Sequence, residues 1–311
     1  MSRLALLTTA FLGLLPLGAA QASEGMTWKW EPGVVRRYML RAEVKSPYVF
    51  DFNQERNVDG KISSFTLAML VDCTLNEAVG RNASEVRCTV DKTSLAVAPV
   101  RFSAGTLSPV IDEWVKKFDA AWIDMTLGAS GRIRNIDLEG VDKSNERTQQ
   151  IWMLMREMTL RAFAPFDFVL PKDGVVADGA QWVQPGARAF ELPGMGQGTL
   201  GGTSVTHTWL ADQGGLVTWG ISGAGTVAPP TAANGSLRDT FQIKLDGSGV
   251  FDTKQGAVVQ AMYEAVGTPT AGSVSADAGR GLAYVQSVIL QYIAPGTQDP
   301  SLGTSQELSV R

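Results

Sequence analysis

Residues 71–90 read Val71-Asp72-Cys73-Thr74-Leu75-Asn76-Glu77-Ala78-Val79-Gly80-Arg81-Asn82-Ala83-Ser84-Glu85-Val86-Arg87-Cys88-Thr89-Val90. Val71, Cys73 and Leu75 share one face of the first arm, and Val86, Cys88 and Val90 share one face of the second. A period of two is the signature of a half-buried strand. The midpoint between the cysteines falls between Gly80 and Arg81, where Gly80-Arg81-Asn82 offers a turn. A hairpin folded there sets Cys73 directly opposite Cys88, the geometry of a cross-strand disulfide. These are the only two cysteines of the chain. Closing the intervening loop stabilises the fold by about 3 kcal/mol on the chain-entropy argument. Two buried thiols are the alternative. A redox-active pair is disfavoured, because there is no Cys-x-x-Cys and Arg87 is the only basic neighbour.

The same period extends in both directions. Tyr38, Leu40, Ala42 and Val44 alternate with Arg37, Arg41, Glu43 and Lys45. Strands are expected over about 61–75, 85–98, 122–127 and 132–138, with Gly128-Ala129-Ser130-Gly131 as the last hairpin loop. Further along, 203–210 and 216–222 flank Gly214-Gly215. Phe241, Ile243 and Leu245 alternate with polar residues up to Asp246-Gly247-Ser248-Gly249, which reads as a turn. Segments 257–266 and 282–294 complete the strands, and a loop is expected over 267–281.

Two helices interrupt this pattern. Ser108 caps the first, with Pro109 behind it and Val110, Trp114, Phe118 and Ala121 on one stripe. The second spans about 144–163. Its apolar face is Ile151, Leu154, Met155, Met158 and Ala162, and Pro165 stops it. Met155 and Met158 suit either a core face, the commoner meaning, or an adaptable ligand lining.

The expected fold is therefore mainly β, of the α+β kind: curved antiparallel sheets with two amphipathic helices, arranged either as one elongated domain or as two similar β-rich halves meeting near residue 165. The first half is 23–143 with one helix, 144–164 is a connecting helix, 165–294 is the second half, and 295–311 is a loose polar tail. Trp30-Glu31-Pro32-Gly33 before Arg37-Tyr38 is echoed by Trp182-Val183-Gln184-Pro185-Gly186 before Arg188 and Phe190. Coincidence accounts for so short a match as readily as duplication does.

Residues 1–22 carry the pattern of a cleavable signal peptide: Arg3, an apolar run from Leu4 to Leu17, and Ala20-Gln21-Ala22 before Ser23. Export to a periplasmic or extracellular space is expected, with no membrane-spanning segment left after cleavage. Arg3 is the only charged residue removed, so the formal charge of −4 becomes −5. A mildly acidic chain lacks the cationic footprint of a nucleic-acid binder.

The catalytic vocabulary is thin. There is a single histidine, His207. A site needing two histidines, such as His-Glu-x-x-His, cannot be built within one chain. No Gly-x-Ser-x-Gly elbow accompanies His207, which reads as a packed strand residue rather than a base. No phosphate-binding loop is present, and Asp246-Gly247-Ser248-Gly249 offers too few oxygens for calcium. No cofactor or metal is expected. Paired carboxylates remain as the one route to hydrolysis. Trp28, Trp30 and Trp182 flank turn signals. They suit packing at sheet edges or a surface for an apolar or carbohydrate ligand.

Gly131-Arg132-Ile133-Arg134-Asn135-Ile136, a helix, Leu170-Pro171, Gly179-Ala180-Gln181-Trp182 and Phe251-Asp252-Thr253-Lys254-Gln255-Gly256 together resemble a layout of exported bacterial β-rich proteins of unknown function. That layout has a Leu-Pro … Gly-Asp-x-Trp junction and a Phe-Asp-x-x-x-Gly hairpin; here Ala180 stands in place of the Asp. The resemblance covers roughly residues 120–266 and implies a secreted β-rich fold with no stated activity. Open-barrel periplasmic lipid carriers, such as the lipoprotein localisation factor, are a looser architectural analogy. The expected function is a non-catalytic envelope protein that binds an apolar or polymeric ligand, or a protein partner, on a concave sheet. A structural or assembly protein and a carboxylate-based hydrolase are the alternatives.

Overall fold

The computed structural model describes residues 26–51, 61–78, 83–99, 115–128, 130–141, 155–156, 158–171, 178–185, 199–228, 241–270 and 284–302. The signal-peptide region, the Gly80-Arg81-Asn82 turn, the start of the first helix and 144–154 of the second lie outside them.

Eleven strands form one antiparallel sheet that is not closed. They are β1 (Arg36–Asp51), β2 (Lys61–Ala78), β3 (Ala83–Pro99), β4 (Trp122–Gly128), β5 (Ile133–Glu139), β6 (Gln181–Pro185), β7 (Thr199–Gln213), β8 (Leu216–Ala228), β9 (Phe241–Asp252), β10 (Ala257–Pro269) and β11 (Tyr284–Ile293). Their order is β5-β4-β3-β2-β1-β11-β10-β9-β8-β7-β6. Each half of the chain is thus a meander, and pairing of β1 with β11 fuses the two into a single sheet. That pairing runs from Arg37 opposite Ile293 to Lys45 opposite Val285.

The inner face is the apolar one. Tyr38, Leu40, Ala42 and Val44 of β1 are buried, as are Phe65, Leu67, Met69 and Val71 of β2 and Val288 and Leu290 of β11. In β1 a one-residue slip would expose all four of these side chains, so burial fixes the register there; β2 is buried on both faces over 65–71. Cys73 stands opposite Cys88 in the β2–β3 ladder, and their sulfurs are 1.99 Å apart in a disulfide. Both cysteines are buried.

Asp246-Gly247-Ser248-Gly249 is not a turn. β9 runs straight through it to Asp252. The two glycines make room for neighbours: a Cβ on Gly247 would lie 2.6 Å from Tyr263 Cβ, and one on Gly249 would lie 2.1 Å from Trp219 Cζ2. The β10 backbone crowds Gly247 and the Trp219 ring of β8 lies over Gly249, close approaches that let a sheet curve inward. The chain reverses instead at 253–256. There Asp252 Oδ1 accepts hydrogen bonds from the Lys254 and Gln255 amides, at 2.8 and 3.0 Å, and Gly256 takes φ +61°. The Gly214-Gly215 hairpin is as expected, with φ +68° and +95°. Bulges at Leu70/Val71, Trp209/Ala211 and Val258/Gln260 add curvature.

The first helix ends before β4: residues 115–118 are helical and Trp122 already belongs to the strand. The second helix ends at Ala162, and Pro165 sits in the 3-10 turn Ala164–Phe166 that follows. β10 continues to Pro269, so 267–269 are strand rather than loop. After β11 the described part of the C-terminal segment is tied to the sheet at Asp299. Asp299 receives a hydrogen bond of 2.8 Å from Arg37 Nε on the outer face of β1.

Candidate functional site

The order of the strands leaves β5 and β6 as the two free edges. Residues 167–170, arriving from the connecting helix, bridge them. On the β5 side, Asp167 Oδ1 accepts from the Ile133 amide at 2.9 Å, and the Leu170 amide donates to Ser130 O at 2.9 Å. On the β6 side, Trp182 Nε1 donates to Val169 O at 2.7 Å. Gln184 Nε2 donates to Asp167 O at 2.8 Å, and Gln184 Oε1 accepts from the Val169 amide at 3.3 Å. Most of these bonds pass through side chains, so the strap closes the seam without becoming a strand.

The strap is rooted in the core. Phe166 packs edge-on against Tyr38, ring centroids 5.1 Å apart, and stacks with Phe163 at 5.5 Å. Phe168 stacks on Trp219 at 4.3 Å and meets His207 edge-on at 5.0 Å. Higher on the helix, Arg161 Nη1 donates to Gln286 Oε1 of β11 at 2.6 Å, and both residues are buried.

His207 of β7 lies under the strap, only 3% exposed. Its Nε2 is 3.1 Å from Gln184 Oε1. That oxygen already accepts from Val169, so Nε2 carries the proton and the Nδ1 lone pair is left without a partner. Burial pushes the imidazole pKa down to about 4, so the ring is neutral at pH 7. Trp182 stacks on it from the edge strand, centroids 5.3 Å apart. Trp219 Nε1 is also buried without a partner. His207, Trp219, Tyr263, Gln184 and Phe168 share a cavity of about 40 Å³. That is room for a few water molecules and no more.

Of the residues singled out in the sequence, the structure gathers Trp182 to this place. Trp28 reaches the other side of the strap, where a Cβ on Gly131 would meet both Trp28 Nε1 and Phe168 O, and it stacks with Trp30 at 6.4 Å where the segment before β1 packs on the β9–β10 hairpin. Trp28 meets Phe251 edge-on, and the Arg36 guanidinium sits 4.5 Å over the Trp30 ring. Arg36 also donates to Gln255 O at 2.6 Å, and the Lys29 amide to Gly256 O at 2.9 Å. Met155 and Met158 are fully buried on the helix inside the sheet. Gln184, Asp167 and Trp219 were not singled out. The adjoining Leu170-Pro171 and Gln181-Trp182 were the only local signal.

On the outer face, Arg37 binds Asp72, Asp91 and Asp299, and Arg87 binds Asp124. Hydrogen bonding, first of all from Asp299, pushes the Arg37 pKa up. Asp299 is held below the usual carboxylate range by Arg37. Among the described residues no cluster of three His, Cys, Asp or Glu residues could hold a metal ion, and no helix is long and apolar enough to cross a membrane. No protein-family model matches the chain, and no curated protein matches it.

Proposed function

We propose that the chain is an exported envelope protein that binds an apolar ligand on the concave face of its open sheet and performs no chemistry on it. One observation carries this reading: the apolar face of an unclosed sheet is covered by a separate segment, Phe163–Leu170, rather than by closure of the wall. A cover of this kind can be exchanged for a ligand with matching apolar surface at little net cost, since both bury the same area. A buried disulfide agrees with an oxidising compartment. The protein resembles exported β-rich proteins in its hairpin and junction motifs, which agrees with the same placement.

A second reading has its own support. The cavity at His207 and Trp219 is only about 40 Å³, and Phe168 fills the space beside it. A structural or assembly role, with no small ligand, accounts for that directly.

Native mass spectrometry of protein purified from its own compartment separates the two. A co-purifying lipid or other small apolar molecule supports the ligand reading. Protein that carries none, and takes up no long-chain fatty acid when offered it, overturns that reading in favour of the structural one.

A further inference from the structure

The strap 167–170 lies on the weakest line around the wall. Between neighbouring strands the connection is a ladder: nine residue pairs join β1 to β11. Among the described residues, the Leu170–Ser130 bond is the backbone-to-backbone link across the β5–β6 seam, and Asp167, Trp182 and Gln184 side chains carry the others. Side-chain bonds of this kind open without unzipping a strand, and regions held by few bonds open first.

The strap also closes imperfectly. Among the described residues, the buried atoms beneath it without partners include an acceptor, His207 Nδ1, and a donor, Trp219 Nε1, on residues that line the same cavity. Buried polar atoms without partners penalise the closed arrangement. A group that both donates and accepts, such as a hydroxyl or an un-ionised carboxylic acid, is chemically matched to that pair. The lining around it is apolar and aromatic: Phe168, Val205, Ile221 and Leu245.

We propose that the β5–β6 seam is the portal of the apolar site and the strap is its gate. The ligand is a single-chain lipid whose hydroxyl or carboxyl end lodges beside His207 and Trp219. Its chain then replaces Phe168 and Phe166 against the sheet. This rests on the ligand reading above and adds the route, the moving part and the ligand class.

The test uses the whole chain, a fluorescent sixteen-carbon fatty acid as probe, and two variants. Trp182→Phe removes the bond to Val169 O, and Gln184→Ala removes the bonds to Asp167 O and the Val169 amide. Uptake is followed by stopped flow, and hydrogen exchange of the unaltered protein is measured with and without probe. The expected result is uptake at least fivefold faster in both variants. In the unaltered protein, the amides of Ile133, Val169 and Leu170 should exchange faster once the probe is bound. Probe binding with those amides unchanged and uptake no faster in Trp182→Phe overturns the gate and leaves the ligand reading standing. No binding of probe by any of the three proteins overturns both.

Discussion

Trp219 and Gly249 face each other across the β8–β9 ladder, and the indole occupies the space where a side chain at position 249 would stand. A Cβ there would lie 2.1 Å from Trp219 Cζ2 and 2.4 Å from Cη2. Backbone on one side and a buried ring on the other leave nothing free to shift. Gly249→Ala is expected to destabilise the protein by about 1–3 kcal/mol through overpacking. Gly220→Ala is the control. Its Cβ would meet nothing closer than Leu210 Cδ1 at 3.7 Å. That change should be neutral or stabilise by up to about 1 kcal/mol through the unfolded chain. Urea midpoints of the two variants check the contrast; equal midpoints would sink it.

The same pair of residues shows what the sequence conveyed and what it hid. The largely apolar run 282–294 marks β11, while alternation marks strands such as β1 and β9, where one face is buried and burial writes a period of two into the residues themselves. Cysteine spacing set the β2–β3 register for the same reason. Gly247 and Gly249 misled because glycine has two uses with one signature. It permits a turn, and it makes room for a close neighbour, the β10 backbone at Gly247 and the Trp219 ring at Gly249. At Gly249 only the position of Trp219, thirty residues away, tells the two apart. β6 has five residues and the strap has no period at all. Their bonds run through Gln184, Trp182 and Asp167, so no local pattern announces them. The β1–β11 pairing that makes two meanders one sheet joins residues about 250 apart in sequence, where no periodicity reaches.

The disulfide is expected to contribute to stability in proportion to the loop it closes. Cys73 and Cys88 are separated by 15 residues. The double variant Cys73→Ala/Cys88→Ala should lose about 3 kcal/mol, with the cavity left by two buried sulfurs adding to the loss. Equilibrium urea unfolding measures this. Peptide mapping without reductant should recover the two cysteines linked, and two alkylatable thiols in the native protein would refute the bond.

The C-terminal segment should be held by charge. Arg37 reaches Asp299 through Nε at 2.8 Å and Nη2 at 3.0 Å, and Lys92 stands 3.6 Å from the same carboxylate. Asp299→Ala is expected to free the chain beyond Ala294 to proteases while leaving the unfolding midpoint almost unchanged, as suits a solvent-facing ion pair. Limited proteolysis with mass detection reads this out. The same release should follow in the unaltered protein at high salt, where exposed charges are screened.

His207 gives the fold a dependence on acid. Its imidazole titrates at about 4 in the folded protein and near 6.5 in the unfolded chain. The unfolded state therefore binds a proton that the folded state refuses. The neutral ring's contribution is complete above pH 6.5 and is lost as pH falls through that value toward 4. A proton on Nδ1 would have no acceptor, because that atom has no partner and Gln184 Oε1 is already taken by Nε2 and Val169. Asp167 adjoins this network through Gln184, accepts from the Ile133 amide and lies 3.8 Å from Arg132 Nε. Tyr263 lines the same cavity. Between pH 7 and pH 4 the unaltered protein should lose about 3 kcal/mol more stability than His207→Leu. Carboxylates titrate alike in both proteins, so the difference isolates the histidine. Urea unfolding at half-unit pH steps measures it, and parallel curves for the two proteins would show that His207 accepts its proton without disturbing the strap.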